Sequence, residues 1–219
     1  MKKDYTHISI ILDRTGSMET IRDDTIGGFN TFLKQQKAEP GEATLTLVQF
    51  DTQDPYEVLH RFKPIAEIHE MNRETFVPRA ATPLLDAIGR GINDLEKSLT
   101  EIEKNERPSR VIMVIITDGQ ENSSVEFRRN QIEKMIKEKQ EKSDWQFAFL
   151  SADLAAINDA LASGFGADST MAYDKTAKGT ALAWVSASER IAAYRSGRSK
   201  DVSFTEEDRA KQESEKKRV

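Results

Sequence analysis

Residues 10–18 read Ile10-Ile11-Leu12-Asp13-Arg14-Thr15-Gly16-Ser17-Met18. An apolar run beginning at His7 closes on a carboxylate, then offers two hydroxyl side chains at alternate positions around a glycine. A short run that is apolar on both faces is the pattern of a central parallel strand covered on both sides. Asp13 therefore stands where a buried strand ends. In open α/β sheets, ligands bind beyond that end of the strands, where the strand order reverses.

Short apolar runs recur along the chain, and the one at Val111–Thr117 is likewise apolar on both faces. Ala43–Phe50, Val111–Thr117 and Trp145–Leu150 are further short apolar runs rich in β-branched or aromatic residues. Glu57–Phe62, alternating after Asp54-Pro55, predicts an additional strand at an edge, and Asp168–Tyr173 a weaker one. Between the strands lie helical periodicities. Leu84, Leu85, Ile88, Ile92, Leu95, Leu99 and Ile102 recur at helical spacing behind Thr82-Pro83, which supplies an N-cap residue and a first-turn proline. Other helices are predicted after Ser17 and over 125–141, 153–163 and 176–195. Strands alternating with helices imply a doubly wound α/β fold: a mostly parallel central sheet, helices on both faces and one antiparallel edge strand. The domain is expected over residues 1–197. Residues 198–219 are charged and poor in large apolar residues, and are read as a solvated, disordered tail.

Composition narrows the function classes. With 219 residues and 37% apolar content the chain can bury one core. Its net charge of -5 offers no global field for nucleic acid. There is no cysteine, which excludes disulfides and thiolate metal sites. The N-terminal run is too short and polar for a signal peptide, and no apolar run approaches the roughly 20 residues of a membrane span. A soluble, cytoplasmic protein without membrane or nucleic-acid partners is expected. The sequence does not fix its oligomeric state.

At the strand ends the fold would gather Asp13, Thr15 and Ser17 with Asp118 of the phrase IITDGQENSS, and with Thr82 at the start of the intervening helix. Two acids and three hydroxyls form an all-oxygen set, which suits Mg²⁺ or Mn²⁺, with Ca²⁺ behind them. Arg14, Asp51, Gln120, Glu121 and Asn122 are candidate rim residues. His7, His60 and His69 lack metal-ligand spacing, and Asn122-Ser123-Ser124 is read as a chance sequon. Taken singly, each motif segment has a plainer reading: Ser17 and Thr82 as helix caps, Asp118-Gly119 as a turn.

Together, Asp13-Arg14-Thr15-Gly16-Ser17, Thr82 in the phrase ATPL, and Asp118-Gly119 resemble the three segments of the metal-ion-dependent adhesion site of von Willebrand factor A domains. The resemblance covers residues 4 to about 196. It implies that Thr15 and Ser17 coordinate the ion directly, that Asp13 and Asp118 act mostly through water, and that Thr82 does either according to state. The family usually has serine where Thr15 stands; the hydroxyl is retained. It further implies a metal-dependent adaptor of intracellular bacterial type, recognising an acidic side chain of a protein partner, in some relatives beside an ATPase. No catalysis is expected. Two rivals remain at this point. A haloacid-dehalogenase-like phosphatase would use Asp13 as nucleophile, but the usual second acid two residues on is here Thr15. A scaffold with a structural metal would dock its partners elsewhere, for instance through the tail.

Overall fold

The computed structural model describes residues 1–216. Its strands are β1 (Lys2–Asp13), β2 (Glu42–Phe50), β3 (Glu57–Pro64), β4 (Pro108–Thr117), β5 (Gln146–Ser151) and β6 (Thr170–Ala172). The helices are α1 (Arg22–Ala38), α2 (Leu84–Glu101), α3 (Arg129–Ser143), α4 (Leu154–Ala162), α5 (Ala177–Arg195) and α6 (Glu206–Lys216). The strands form one sheet in the order β3-β2-β1-β4-β5-β6. All neighbours are parallel except β2 and β3, which run antiparallel. The expected architecture and its antiparallel edge strand are both present.

The pleat assigns the strand side chains to two cores. Ile8, Ile10 and Leu12 of β1 join Ile112, Val114 and Ile116 of β4 on one face, with Phe29, Phe32 and Trp184 from α1 and α5. Ile11, Val111, Met113 and Ile115 face the other way, toward Ile88 and Ile92 of α2 and Ile132 and Ile136 of α3. Strands buried on both sides at period 2 need helices on both faces, which the alternation of elements supplies. On the first face α1 lies against α5 at Gly28: a Cβ there would come within 2.1 Å of the Trp184 indole. Only glycine permits that approach, at a small cost in helix propensity.

Chain order places the site. The chain runs from β1 outward to β2 and β3, then returns to lay β4 on the other side of β1. This reversal is the topological switch point, and it sets the carboxyl ends of β1 and β4 side by side. Leu12 is in register with Ile116, so Asp13 and Thr117 follow as neighbours at the sheet's upper rim.

Two expectations need correction. The helix predicted over 125–141 begins only at Arg129, because residues 121–127 form a loop organised around Asp86 and Glu121, described below. The boundary at 197 does not separate a domain from a disordered tail among the described residues. Val202 and Phe204 are 1% and 5% exposed and belong to the first core, and Asp208 and Gln212 of α6 are buried. The Gln212 amide donates to the Gly179 carbonyl, and its Oε1 accepts from the Asp174 N–H. Residues 217–219 lie outside the described part.

Candidate metal centre

Asp13 is fully buried, and both its oxygens are engaged. Oδ1 accepts the Thr15 N–H at 2.7 Å, and Oδ2 accepts the Thr117 hydroxyl at 2.5 Å. Burial pushes its pKa up to about 7; the hydrogen bonds from Thr117 and Thr15 oppose that rise, and the nearby charge of Asp118 adds to it. The turn after β1 then brings Thr15 Oγ1 to 3.2 Å from Ser17 Oγ. Ser17 is exposed and donates its hydroxyl to Asp118 Oδ1 at 2.6 Å, joining segments 101 residues apart. Asp118 Oδ2 is paired not by a hydroxyl or a backbone N–H but by the ammonium of Lys175, at 2.6 Å.

Thr82 arrives from a third segment that is stitched to the other two. The Gly16 N–H donates to Ala80 O and the Arg79 N–H to Arg14 O, while Thr82 exchanges backbone-directed bonds with Asn122 through its N–H and its carbonyl. A Cβ built on Gly119 would lie 3.5 Å from Ser17 Oγ and 3.9 Å from Thr82 Oγ1. Both hydroxyls thus face the space that the missing side chain of Gly119 leaves open. All five residues named from the sequence converge here.

The donor set fits a hard divalent cation. It is all oxygen, it holds two carboxylates in a low-dielectric surround, and it has one exposed edge at Ser17. Among the described residues no group of three or more histidines, aspartates and glutamates gathers to hold a metal; here two carboxylates stand beside three hydroxyls.

Scanned by sequence, the chain matches no family model and no curated protein. By structure it is similar to a von Willebrand factor type A protein from Catenulispora acidiphila, with 12% identity and a TM-score of 0.57 over 88% of this chain and 43% of that one. The chain has the von Willebrand factor A fold. The same fold appears in manganese-loaded TRAP protein of Plasmodium vivax, at 11% identity, a TM-score of 0.52, and coverage of 80% of this chain and 70% of that one. It also appears in proximal thread matrix protein 1 of the mussel byssus with a zinc-occupied MIDAS motif, at 11% identity, a TM-score of 0.57, and coverage of 86% and 46%. This chain spans less than half the length of the mussel and Catenulispora chains.

Within this fold the rim candidates separate. Arg14 and Asp51 are not rim residues: both are buried, and the Arg14 guanidinium bonds Asp51, Gln49 and Glu57. Burial alone would raise the Asp51 carboxyl, but N–H groups of Asp54 and Gln53 and the Arg79 and Arg14 guanidiniums hold it below the usual carboxylate range. This network ties the tops of β1, β2 and β3. Gln120 and Asn122 are exposed at the site's edge. Glu121 instead caps α2, accepting from the Leu85, Ser123 and Ser124 N–H groups. His7 is fully buried, stacked on Phe62 with centroids 3.7 Å apart, and burial lowers its pKa to about 3.

Sequence reasoning missed two sets of residues. Asp86, in the first turn of α2, accepts the N–H groups of Val125, Glu126 and Phe127. With Glu121 it reciprocally fixes the Asp118 loop to the helix that follows Thr82. Its spacing, an acid three residues after Pro83, was visible as a helix-start preference. Lys175 places Nζ 2.6 Å from Asp118 Oδ2 and 3.0 Å from Ser17 O. A lone loop lysine carries no pattern by which to find it.

Proposed function

We propose that this protein is a divalent-metal-dependent protein-binding module. Asp13, Thr15, Ser17, Thr82 and Asp118 would hold Mg²⁺ or Mn²⁺, and the bound ion would offer an electron-poor open position to an Asp or Glu of a partner. Metal-bearing proteins with the same fold support the reading: the mussel protein is described with a zinc-occupied MIDAS motif and the Plasmodium protein as manganese-loaded. The observation that carries it is the meeting of Ser17 with Asp118 beside the Thr15 and Thr82 hydroxyls. With Ser17 alone on the open side and Asp13 fully buried behind it, a cation held here would be incompletely neutralised and receptive to an outside anion.

The binding role is favoured over phosphotransfer because Asp13 is sequestered, with both oxygens engaged, where a nucleophilic carboxylate must reach its substrate. No helix of the described residues is long and apolar enough to cross a membrane. A cytoplasmic adaptor beside an ATPase-associated assembly is carried by the family resemblance alone. The test is affinity capture in Mg²⁺ and in EDTA with wild type and Asp13→Ala. Partners retained by wild type in Mg²⁺, and lost on chelation and in the variant, meet the expectation; a partner set indifferent to both refutes it.

A further inference from the structure

We propose that Lys175 is a tethered counter-cation of this centre, holding Asp118 when no divalent ion is bound and leaving when one enters. The inference rests on the metal-site reading above and adds how that site is regulated.

Lys175 follows β6, two strands from β4, yet its side chain reaches back to the Asp118 carboxylate and the Ser17 carbonyl. The Asp118 side chain is fully buried, while that of Lys175 is 36% exposed. The ammonium is therefore anchored at its base and free to exchange at its tip. Its base is fixed on both sides: the Tyr173 hydroxyl donates to the Thr117 carbonyl, the Asp174 N–H to Gln212 Oε1 of α6, and the Thr176 hydroxyl accepts the Gly179 N–H. The C-terminal segment thus helps to aim a cation at the metal centre.

An ammonium 2.6 Å from Asp118 Oδ2 and a dication bound through the same carboxylate would repel strongly across a short, poorly screened distance. They are alternatives. When both are ionised, Asp13 and Asp118 carry two negative charges in a buried surround; Lys175 offsets one of them, and a divalent ion would offset both. Lys175 accordingly keeps Asp118 and Ser17 in place in the metal-free protein and lowers the affinity for the ion that displaces it.

The experiment is calorimetric titration of the full chain with Mn²⁺, comparing wild type, Lys175→Met, Lys175→Gln and Lys175→Arg, with Ser17→Ala as the control for the site. Freed of the competing charge, the two neutral variants should bind Mn²⁺ on the order of ten- to a hundredfold more tightly than wild type, and the arginine variant within about threefold of it. Their melting temperatures in EDTA should fall below that of wild type and recover in Mn²⁺. If wild type binds Mn²⁺, Ser17→Ala does not, and the neutral variants bind no more tightly than wild type, the counter-cation role is refuted while the site stands. If neither wild type nor any Lys175 variant takes up Mn²⁺, the metal-site reading itself falls.

Discussion

Replacing Asp13 by Asn should stabilise the metal-free protein while abolishing its response to metal. The hydrogen bonds survive the change: Asn Oδ1 can accept the Thr15 N–H as Asp13 Oδ1 does. Thr117, whose hydroxyl also lies 3.1 Å from Gly119 O, can turn its proton there and accept from the new amide. What disappears is a buried charge. Burial raises the Asp13 pKa from 3.8 to about 7. At about 1.4 kcal/mol per pH unit, that sets a ceiling of about 4 kcal/mol on the cost of the ionised form. The sign follows from proton binding: between those two pH values the folded state holds the proton more tightly than the unfolded one. The stability of the protonated form is fully present below pH 3.8, is lost steadily as pH rises, and is gone above about 7. In EDTA at pH 8, Asp13→Asn should therefore exceed wild type by about 2 kcal/mol or more, which at about 2–4 °C per kcal/mol is a rise of at least ~4 °C. By pH 5 only a little over a third of the difference should remain, about 1.2 of the roughly 3 pH units having been crossed. Saturating Mg²⁺, at about 100 times its Kd, should stabilise wild type by about 2.7 kcal/mol and leave the variant unmoved. Thermal and urea denaturation across pH 5–8 measure all of this. An Asn variant no more stable than wild type at pH 8, or an advantage that does not shrink toward pH 5, would refute the reasoning.

Gly119→Ala should leave the metal-free melting temperature nearly unchanged, since its methyl would make ordinary contacts at 3.5 and 3.9 Å; because that methyl enters the space faced by both hydroxyls, Mn²⁺ affinity measured by titration should fall by about tenfold or more. Phe204→Ala should cost about 3–5 kcal/mol in urea unfolding, as expected for a buried aromatic; a loss below about 1 kcal/mol would return residues 198–216 to the status of a tail. Gly28→Ala should destabilise by about 2 kcal/mol or more, because the new methyl collides with the Trp184 ring that α5 presses against α1. A Gly28→Ala variant that melts with wild type would show that the two helices can separate freely.

The fold was legible because β1 and β4 are apolar on both faces, β-branched and aromatic residues mark the other central strands, and α2 is strongly amphipathic behind a clear start signal. β3 showed itself by alternation behind Asp54-Pro55. The start of α3 was not legible, since residues 125–127 are held out of helix by Asp86, about 40 residues away in sequence. The docking of residues 198–216 was hidden for a different reason. Composition averages over a segment, and this one is highly charged; yet Val202, Phe204, Asp208 and Gln212 suffice to seat it. Deleting the segment would therefore strip core contacts and disturb the Asp174 loop, so the truncation does not separate a docking tail from a structural one. At the centre, Asp13, Thr15, Ser17 and Asp118 were legible because each follows an obvious buried strand. Arg14 and Lys175 were misjudged or missed because their partners are set by topology: Asp51 and Glu57 across neighbouring strands for one, Asp118 for the other.

The burial that makes Asp13 costly also favours the proposed role over its rival. A nucleophilic carboxylate must be ionised and within reach of substrate, whereas Asp13 has no exposed surface and both oxygens are committed to Thr15 and Thr117. A carboxylate that supports an ion from behind needs neither reach nor a free oxygen. It needs a negative charge that is poorly solvated and can be offset only by a cation lodged nearby. In the metal-free chain Lys175 meets that need at Asp118 alone, leaving Asp13 with a raised pKa. The part of the electrostatic cost left standing is then the part a divalent ion would relieve, which makes folding energy, proton binding and metal uptake three readings of one buried charge.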